Sequence, residues 1–248
     1  MFRNKVLVSL MAFGFAAALP TAVYATELVT NGGFESNGGN GQLGYNTSAT
    51  GWNISGGYTF LFNPQTGTTS GTSADNSGAN GQYGSLWLWG PGNGSANGLT
   101  TSPTGGAFIA QDSDFQQAPI WQTINNLTIG QSYAVNFDWA AAQQEFFNGP
   151  TADQWVVSLG EQSQATATYN LPSHAFSGWM HQAFDFTATD TSETLSFFAQ
   201  GSPQGPPPFA LLDGVSMQAV PEAGSGAAML LGVVGFGMFA RRRARSAK

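Results

Sequence analysis

Apolar residues recur at every second position in several short segments of the chain. In "SYAVNFDW", Tyr133, Val135, Phe137 and Trp139 fall on one side and Ser132, Asn136 and Asp138 on the other. "QWVVSLG" repeats the pattern with Trp155, Val157 and Leu159, "AFDF" with Phe184 and Phe186, and "TLSFFA" with Leu195, Phe197 and Ala199. A period of two puts successive side chains on opposite faces of a strand, so each run predicts a strand with one buried face. Clusters of Gly, Pro, Asn and Asp separate the runs, and no amphipathic helix interrupts the series. The pattern predicts an all-β body folded as an antiparallel β-sandwich. Between Pro64 and Thr104, two turn-rich stretches flank the apolar "SLWLWG", which predicts long loops at the sandwich edge.

The two ends depart from this pattern. Arg3 and Lys5, an apolar stretch from Val6 to Leu19, and the small-residue site Val23-Tyr24-Ala25 read as a secretory signal peptide over residues 1–25. Residues 220–248 combine a turn at Val220, Pro221 and Glu222, an uncharged run over 223–240, and an Arg-rich tail over 241–248 that includes Arg241, Arg242 and Arg243. The run is near the shortest that crosses a hydrocarbon core of ~30 Å, and flanking arginines stay on the cytoplasmic side. This order of turn, short transmembrane helix and Arg cluster resembles the PEP-CTERM sorting signal of exported bacterial proteins. That resemblance implies an exosortase as processing partner, although Ala223 stands where the family has a second proline. The expectation is a chain held briefly at the inner membrane, then located at the cell surface or in the extracellular matrix. The body, residues 26–219, would form one domain outside the cytoplasm, flanked by the signal helix and the C-terminal span.

Charge narrows the partners. All seven Lys and Arg residues lie in the two terminal segments, whereas thirteen of the fourteen acidic residues, all but Glu222, lie between them. Such a field repels phosphates, which excludes nucleic acid as a partner. The chain has no cysteine, so the body is held by its core, with a metal as a possible addition.

Within the body, "LVTNGGFES" (Leu28 to Ser36), the pair Gly51-Trp52, "IWQTINNLTIGQSYAVNFDWA" and "FALLDGVSM" occur in an order that resembles jelly-roll domains with the galactose-binding-like fold. These domains are common among carbohydrate-binding modules, so the resemblance implies an extracellular polysaccharide as ligand. Sugar rings stack on flat aromatic faces while amides fix their hydroxyls. Trp87, Trp89 and Trp52 are the candidates for such contacts, with Tyr58 and Trp179 behind them; the competing role for each is core packing.

Asp213 is the candidate for metal chemistry. Alternation puts Phe209, Leu211, Asp213, Val215 and Met217 on one side of the closing strand, so the carboxylate sits among core residues with no Lys or Arg to answer it. Protonation, backbone donors or an external cation would each satisfy it. The resemblance implies the last: a structural calcium held by Glu35, Asp213 and main-chain carbonyls, with Gly214 where relatives carry a second acid. Asp112 and Asp114 in "QDSDFQQ" read as a solvated turn, with calcium ligation as the alternative.

Catalysis finds little support. The chain lacks a Gly-x-Ser-x-Gly elbow, and His174 and His181 do not have zinc-ligand spacing. The reading is a non-catalytic, polysaccharide-binding protein. The alternatives are a structural matrix protein without a specific ligand and a carboxylate-dependent glycoside hydrolase.

Overall fold

The computed structural model describes residues 26–64, 72–203 and 205–221. The signal segment 1–25, Glu222, the span 223–240 and the tail bearing Arg241, Arg242 and Arg243 lie outside these residues. Among the described residues no helix is long and apolar enough to cross a membrane.

In chain order the first elements are β1 (Gly41–Gln42), β2 (Asn53–Ile54), β3 (Thr59–Phe62), a short helix α1 (Ser73–Asn76), β4 (Ala79–Gly81), β5 (Gly84–Leu86) and β6 (Phe108–Asp112). There follow β7 (Ile120–Asn125), β8 (Ser132–Gln143), β9 (Thr151–Leu159), β10 (Gln162–Ala165) and β11 (Tyr169–Leu171). The last three are β12 (Met180–Thr187), β13 (Ser192–Ser202) and β14 (Pro208–Ala219). One sheet has the order β1-β3-β6-β14-β8-β12 and the other β10-β9-β13-β7-β2, with β11 also on β9. From β6 to β9, and again from β12 to β14, successive strands alternate between the sheets. The fold is an antiparallel β-sandwich, as the periodicity predicts, with the jelly-roll form that the resemblance implies.

The alternating runs point inward as expected. Val135, Phe137, Trp155, Val157, Leu159, Leu195, Phe197 and Ala199 are fully buried between the sheets. The Trp155 indole N–H crosses the interior to donate to the Leu211 carbonyl at 3.0 Å, tying β9 to β14. Phe197 sits edge-on to Trp155, Phe137 and Trp52, with ring centroids 6.1, 5.2 and 6.0 Å away.

Residues 72–105 depart from the expected edge loops. They fold over the outer face of the first sheet and build a second apolar cluster, with Ala74, Ala79, Leu86, Leu88 and Leu99 against Phe60, Phe62, Phe108, Ala140, Phe209 and Leu211. α1 is capped by Thr72, whose side chain accepts from the Ala74 N–H while its own backbone N–H donates to Asp75. The cover accounts for the runs that do not alternate. β3, β6 and the first half of β14 are buried on both faces, and such strands carry nearly continuous apolar sequence.

The closing strand also corrects the expected facing. Gly214 adopts a left-handed φ of 61°, and the β14/β8 register shifts between Asp213 and Ser216. One extra residue reverses the side-chain alternation beyond it. Phe209 and Leu211 therefore face the outer cluster, whereas Val215 and Met217 face the sandwich interior. Asp213 lies at the reversal and is fully buried, although not on the interior face the simple alternation predicts.

Candidate functional site

Among the exposed large aromatic side chains, three in turns gather at one end of the first sheet: Tyr83 in the β4–β5 turn, Phe115 after β6 and Phe147, beside the also exposed Phe146, after β8. With Tyr58, Asp112, Gln144 and Pro207 they line a cavity of about 390 Å³. Tyr58 enters β3 and is nearly buried, packed edge-on against Phe60 at 4.7 Å. Tyr83 and Phe115 lie 5.9 and 5.6 Å from Tyr58 and 5.8 Å from each other, centroid to centroid. Gln116 orients this edge, since its amide donates to the Tyr83 hydroxyl at 2.5 Å and accepts from Gln82 at 2.5 Å.

Asp112 shapes the loop that carries Phe115. Its Oδ1 accepts from the backbone N–H groups of Asp114 and Phe115, both at 2.9 Å. The side chain is buried, so Asp112 is a loop-organising carboxylate and not the solvated turn residue that its sequence neighbourhood suggests. Burial raises its pKa to about 6, against the lowering effect of the two amides, and the nearby Asp114 charge adds to the rise. Burial also raises the Tyr58 phenol, helped by the Asp112 charge.

On the other side of this loop lies a polar cavity, also about 390 Å³, lined by Asp114, Gln117, Gln154, Thr168, Gln200 and Ser202 among others. Gln154 donates to Gln200 at 3.1 Å and accepts from Thr168 at 2.7 Å. Behind the loop, Asp153 is fully buried on β9; its Oδ1 accepts from Ser113 at 2.5 Å and its Oδ2 has no partner. Burial drives its pKa to about 8, with Asp112 contributing to the rise.

The tryptophans singled out in the sequence occupy three separate places. Trp87 and Trp89 are half-buried on the segment after β5, which pairs with the end of β8 through Leu88 and Gln144. The Trp89 indole donates to the Phe147 carbonyl at 3.0 Å and stacks on His174 at 4.1 Å, so Trp89 borders the aromatic cavity through Phe147. Trp87 packs over Gly78, where an added Cβ would come within 2.6 Å of its ring. Trp52 lies elsewhere, packed on Phe34 at 5.2 Å with its indole donating to the Asn31 carbonyl at 3.0 Å. Trp179 supports the second cluster, edge-on to Phe108 at 5.7 Å.

Glu35 and Asp213 are brought together. One point, the position a Cβ on Gly33 would take, is 3.8 Å from Asp213 Oδ1 and 4.0 Å from Glu35 Cγ. Asp213 Oδ2 accepts from the hydroxyls of Ser102 and Thr104, the latter at 2.6 Å, while its buried Oδ1 has no partner. Glu35 Oε1 accepts from the Ala107 N–H at 2.7 Å. Burial raises Asp213 to about 6 despite the two hydroxyls, and Glu35 adds to the rise. Among the described residues no three His, Cys, Asp or Glu side chains converge on one metal position. At the tail, Val220 is fixed by its N–H to the Ser132 carbonyl at 2.8 Å and by Gln131 donating to its carbonyl at 2.7 Å, and Pro221 is exposed.

No family model and no curated protein sequence matches the chain. Solved structures do show a likeness in architecture. One is TmCBM61 in complex with β-1,4-galactotriose, at a TM-score of 0.42 and 13% identity over 79% of this chain and 100% of that one. The CBM22-1 xylan-binding domain of Xyn10C from Paenibacillus barcinonensis gives 0.38 and 10% over 82% and 100%. The arabinose-bound α-L-arabinofuranosidase MgGH51 gives 0.39 and 10% over 79% of this chain and 26% of its own. These likenesses assign no residue a role.

Sequence reasoning did not find Tyr83, Phe115 or Phe147. They lie in three turns far apart in the chain, outside any periodic run. The available signal was one large aromatic in each of "GQYG" and "SDFQQ" and two in "EFFNG", set among polar, turn-forming residues.

Proposed function

We propose that this chain is an exported, non-catalytic protein that binds polysaccharide at the cavity formed by Tyr58, Tyr83, Phe115 and Phe147. The observation that carries the reading is the exposure of three rings around a cavity that also holds a carboxylate and an amide. Rings offer flat apolar faces to the C–H surface of a sugar, and Asp112 and Gln144 supply hydrogen-bonding groups for hydroxyls. Trp89 extends the surface beyond Phe147. Of the two cavities described, one carries a single carboxylate, Asp112, and the other a single carboxylate, Asp114, whereas most glycoside hydrolases use a facing pair. Export and exosortase sorting rest on the terminal segments, with Val220, Pro221 and Glu222 at the junction. The direct test is affinity electrophoresis of the chain against a panel of neutral and charged glycans. Tyr83→Ala and Phe115→Ala are each expected to weaken binding by roughly tenfold or more, with stability little changed because both rings lie at the surface outside the two buried clusters. Retention of full affinity by both variants would contradict the reading.

Calcium belongs to the same proposal as a structural ion. Asp213 Oδ1 is buried and unpartnered, Glu35 lies beside it, and hard oxygen donors suit calcium. Main-chain carbonyls and the Ser102 and Thr104 hydroxyls would complete the shell. When bound, the ion would neutralise the buried charge and tie the Asn31–Glu35 segment to β14. Adding calcium to chelator-treated protein is expected to raise the melting temperature, and Asp213→Asn to abolish the rise. An unchanged melting curve would remove calcium from the account.

A further inference from the structure

The aromatic cavity is anionic as well as apolar. Asp112 contributes to its wall, and the charged or titratable groups around that carboxylate are Asp114 on its own loop, Asp153 on β9, and the phenols of Tyr58 and Tyr83. None is a cation. No Lys or Arg occurs between Thr26 and Pro221, and the His174 ring is taken up by Trp89 and Asn148. A uronate or sulfate on the ligand would face the Asp112 charge with no cation to offset it. An ammonium group would meet two favourable partners, because ring faces carry negative potential and a carboxylate stands beside them.

We infer that the cavity selects a polysaccharide bearing free amino groups, such as de-N-acetylated hexosamine units, with the ammonium held between Asp112 and the faces of Tyr83 and Phe115. The inference rests on the polysaccharide reading above and adds the ligand's charge to it. Ionised Asp112 is the attractive form, and its raised pKa means that it loses its charge on modest acidification. Binding an ammonium favours the ionised carboxylate, so the amino ligand lowers the Asp112 pKa by the same free energy with which ionisation tightens binding.

The test uses the full chain with three probes of equal length: a glucosamine oligosaccharide, its N-acetylated counterpart and a uronate oligosaccharide, at a pH just above the Asp112 value of about 6. The amino oligosaccharide is expected to bind roughly tenfold more tightly than the N-acetylated one, and the uronate most weakly. Asp112→Asn keeps an oxygen for the Asp114 and Phe115 amides and is expected to bring the amino and N-acetylated probes close to parity. A measurement on the unsubstituted chain guards against misfolding of the variant: carboxyl-carbon NMR should show the Asp112 titration moving to lower pH with the amino probe alone. Equal binding of the amino and N-acetylated probes, a preference that survives Asp112→Asn in a folded variant, or an Asp112 titration that does not move would each overturn the ammonium inference and leave polysaccharide binding standing. Failure of these probes and of every neutral glycan would instead overturn the polysaccharide reading itself.

Discussion

Trp155→Ala is expected to destabilise the fold by roughly 3–5 kcal/mol, the range for emptying the site of a buried large aromatic. Trp155 has no exposed surface and packs edge-on against Phe197, which is itself wedged against Phe137 and Trp52. The indole also bridges the two sheets through its hydrogen bond to Leu211. Truncation would therefore leave a cavity in the middle of the sandwich and remove a cross-sheet tie. Trp155→Phe fills most of the volume without the N–H, and its cost should be smaller than that of the alanine variant. Urea titration reads both, as a fall in midpoint at constant slope. A loss of unfolding free energy below about 1 kcal/mol for the alanine variant would contradict the packing described, because core truncations of this size cost several times that.

The second large effect is a loss of stability as pH rises. Asp153 is held near pKa 8 in the folded chain, against an ordinary value of 3.8, because the sandwich interior penalises its charge. Below pH 3.8 the carboxyl is protonated in both folded and unfolded chains, and the folded chain is spared the cost of burying its charge. Above that, the unfolded chain ionises while the folded chain keeps its proton, so stability falls steadily until the folded group also ionises near pH 8. Asp112 and Asp213, each raised from 3.8 to about 6, add to the decline in the lower part of the window. Asp153→Asn keeps an oxygen for the Ser113 hydroxyl and places an amide near Thr151, whose buried hydroxyl also has no partner and which lies two residues away on the same strand face. The variant is expected to flatten the pH profile and to be more stable than the natural chain at pH 8. Melting curves across the window, in chelator to keep calcium from masking Asp213, check this. A variant with the same slope as the natural chain would show that Asp153 is not the buried acid responsible.

These residues also show how far the sequence could be read. The first half of β8, together with β9, β12 and β13, buries one face, so Tyr133 to Trp139 and Trp155 to Leu159 announce themselves by alternation. β6 and the first half of β14 lie under the 72–105 cover, and burial on both faces erases the period of two. The cover was hard to foresee because its apolar residues, Ala74, Ala79, Leu86, Leu88 and Leu99, are scattered among turn formers. Asp213 is buried, as its place among apolar residues suggests. Its facing was misread because a single left-handed glycine, Gly214, reverses the strand. The aromatic cavity gathers Tyr58, Tyr83, Phe115 and Phe147 from four separate segments, an arrangement fixed by strand pairing and by the Asp112 turn, neither of which leaves a local pattern.

Position-resolved hydrogen exchange of the chain, with and without a glycan from the panel that binds, addresses the saccharide site most directly. Slowed exchange confined to residues 82–84, 112–117 and 144–147 is the outcome this account requires. Protection concentrated on the outer face of the second sheet, around Gln154 and Gln200, with those three turns unchanged, would place the ligand elsewhere and contradict it.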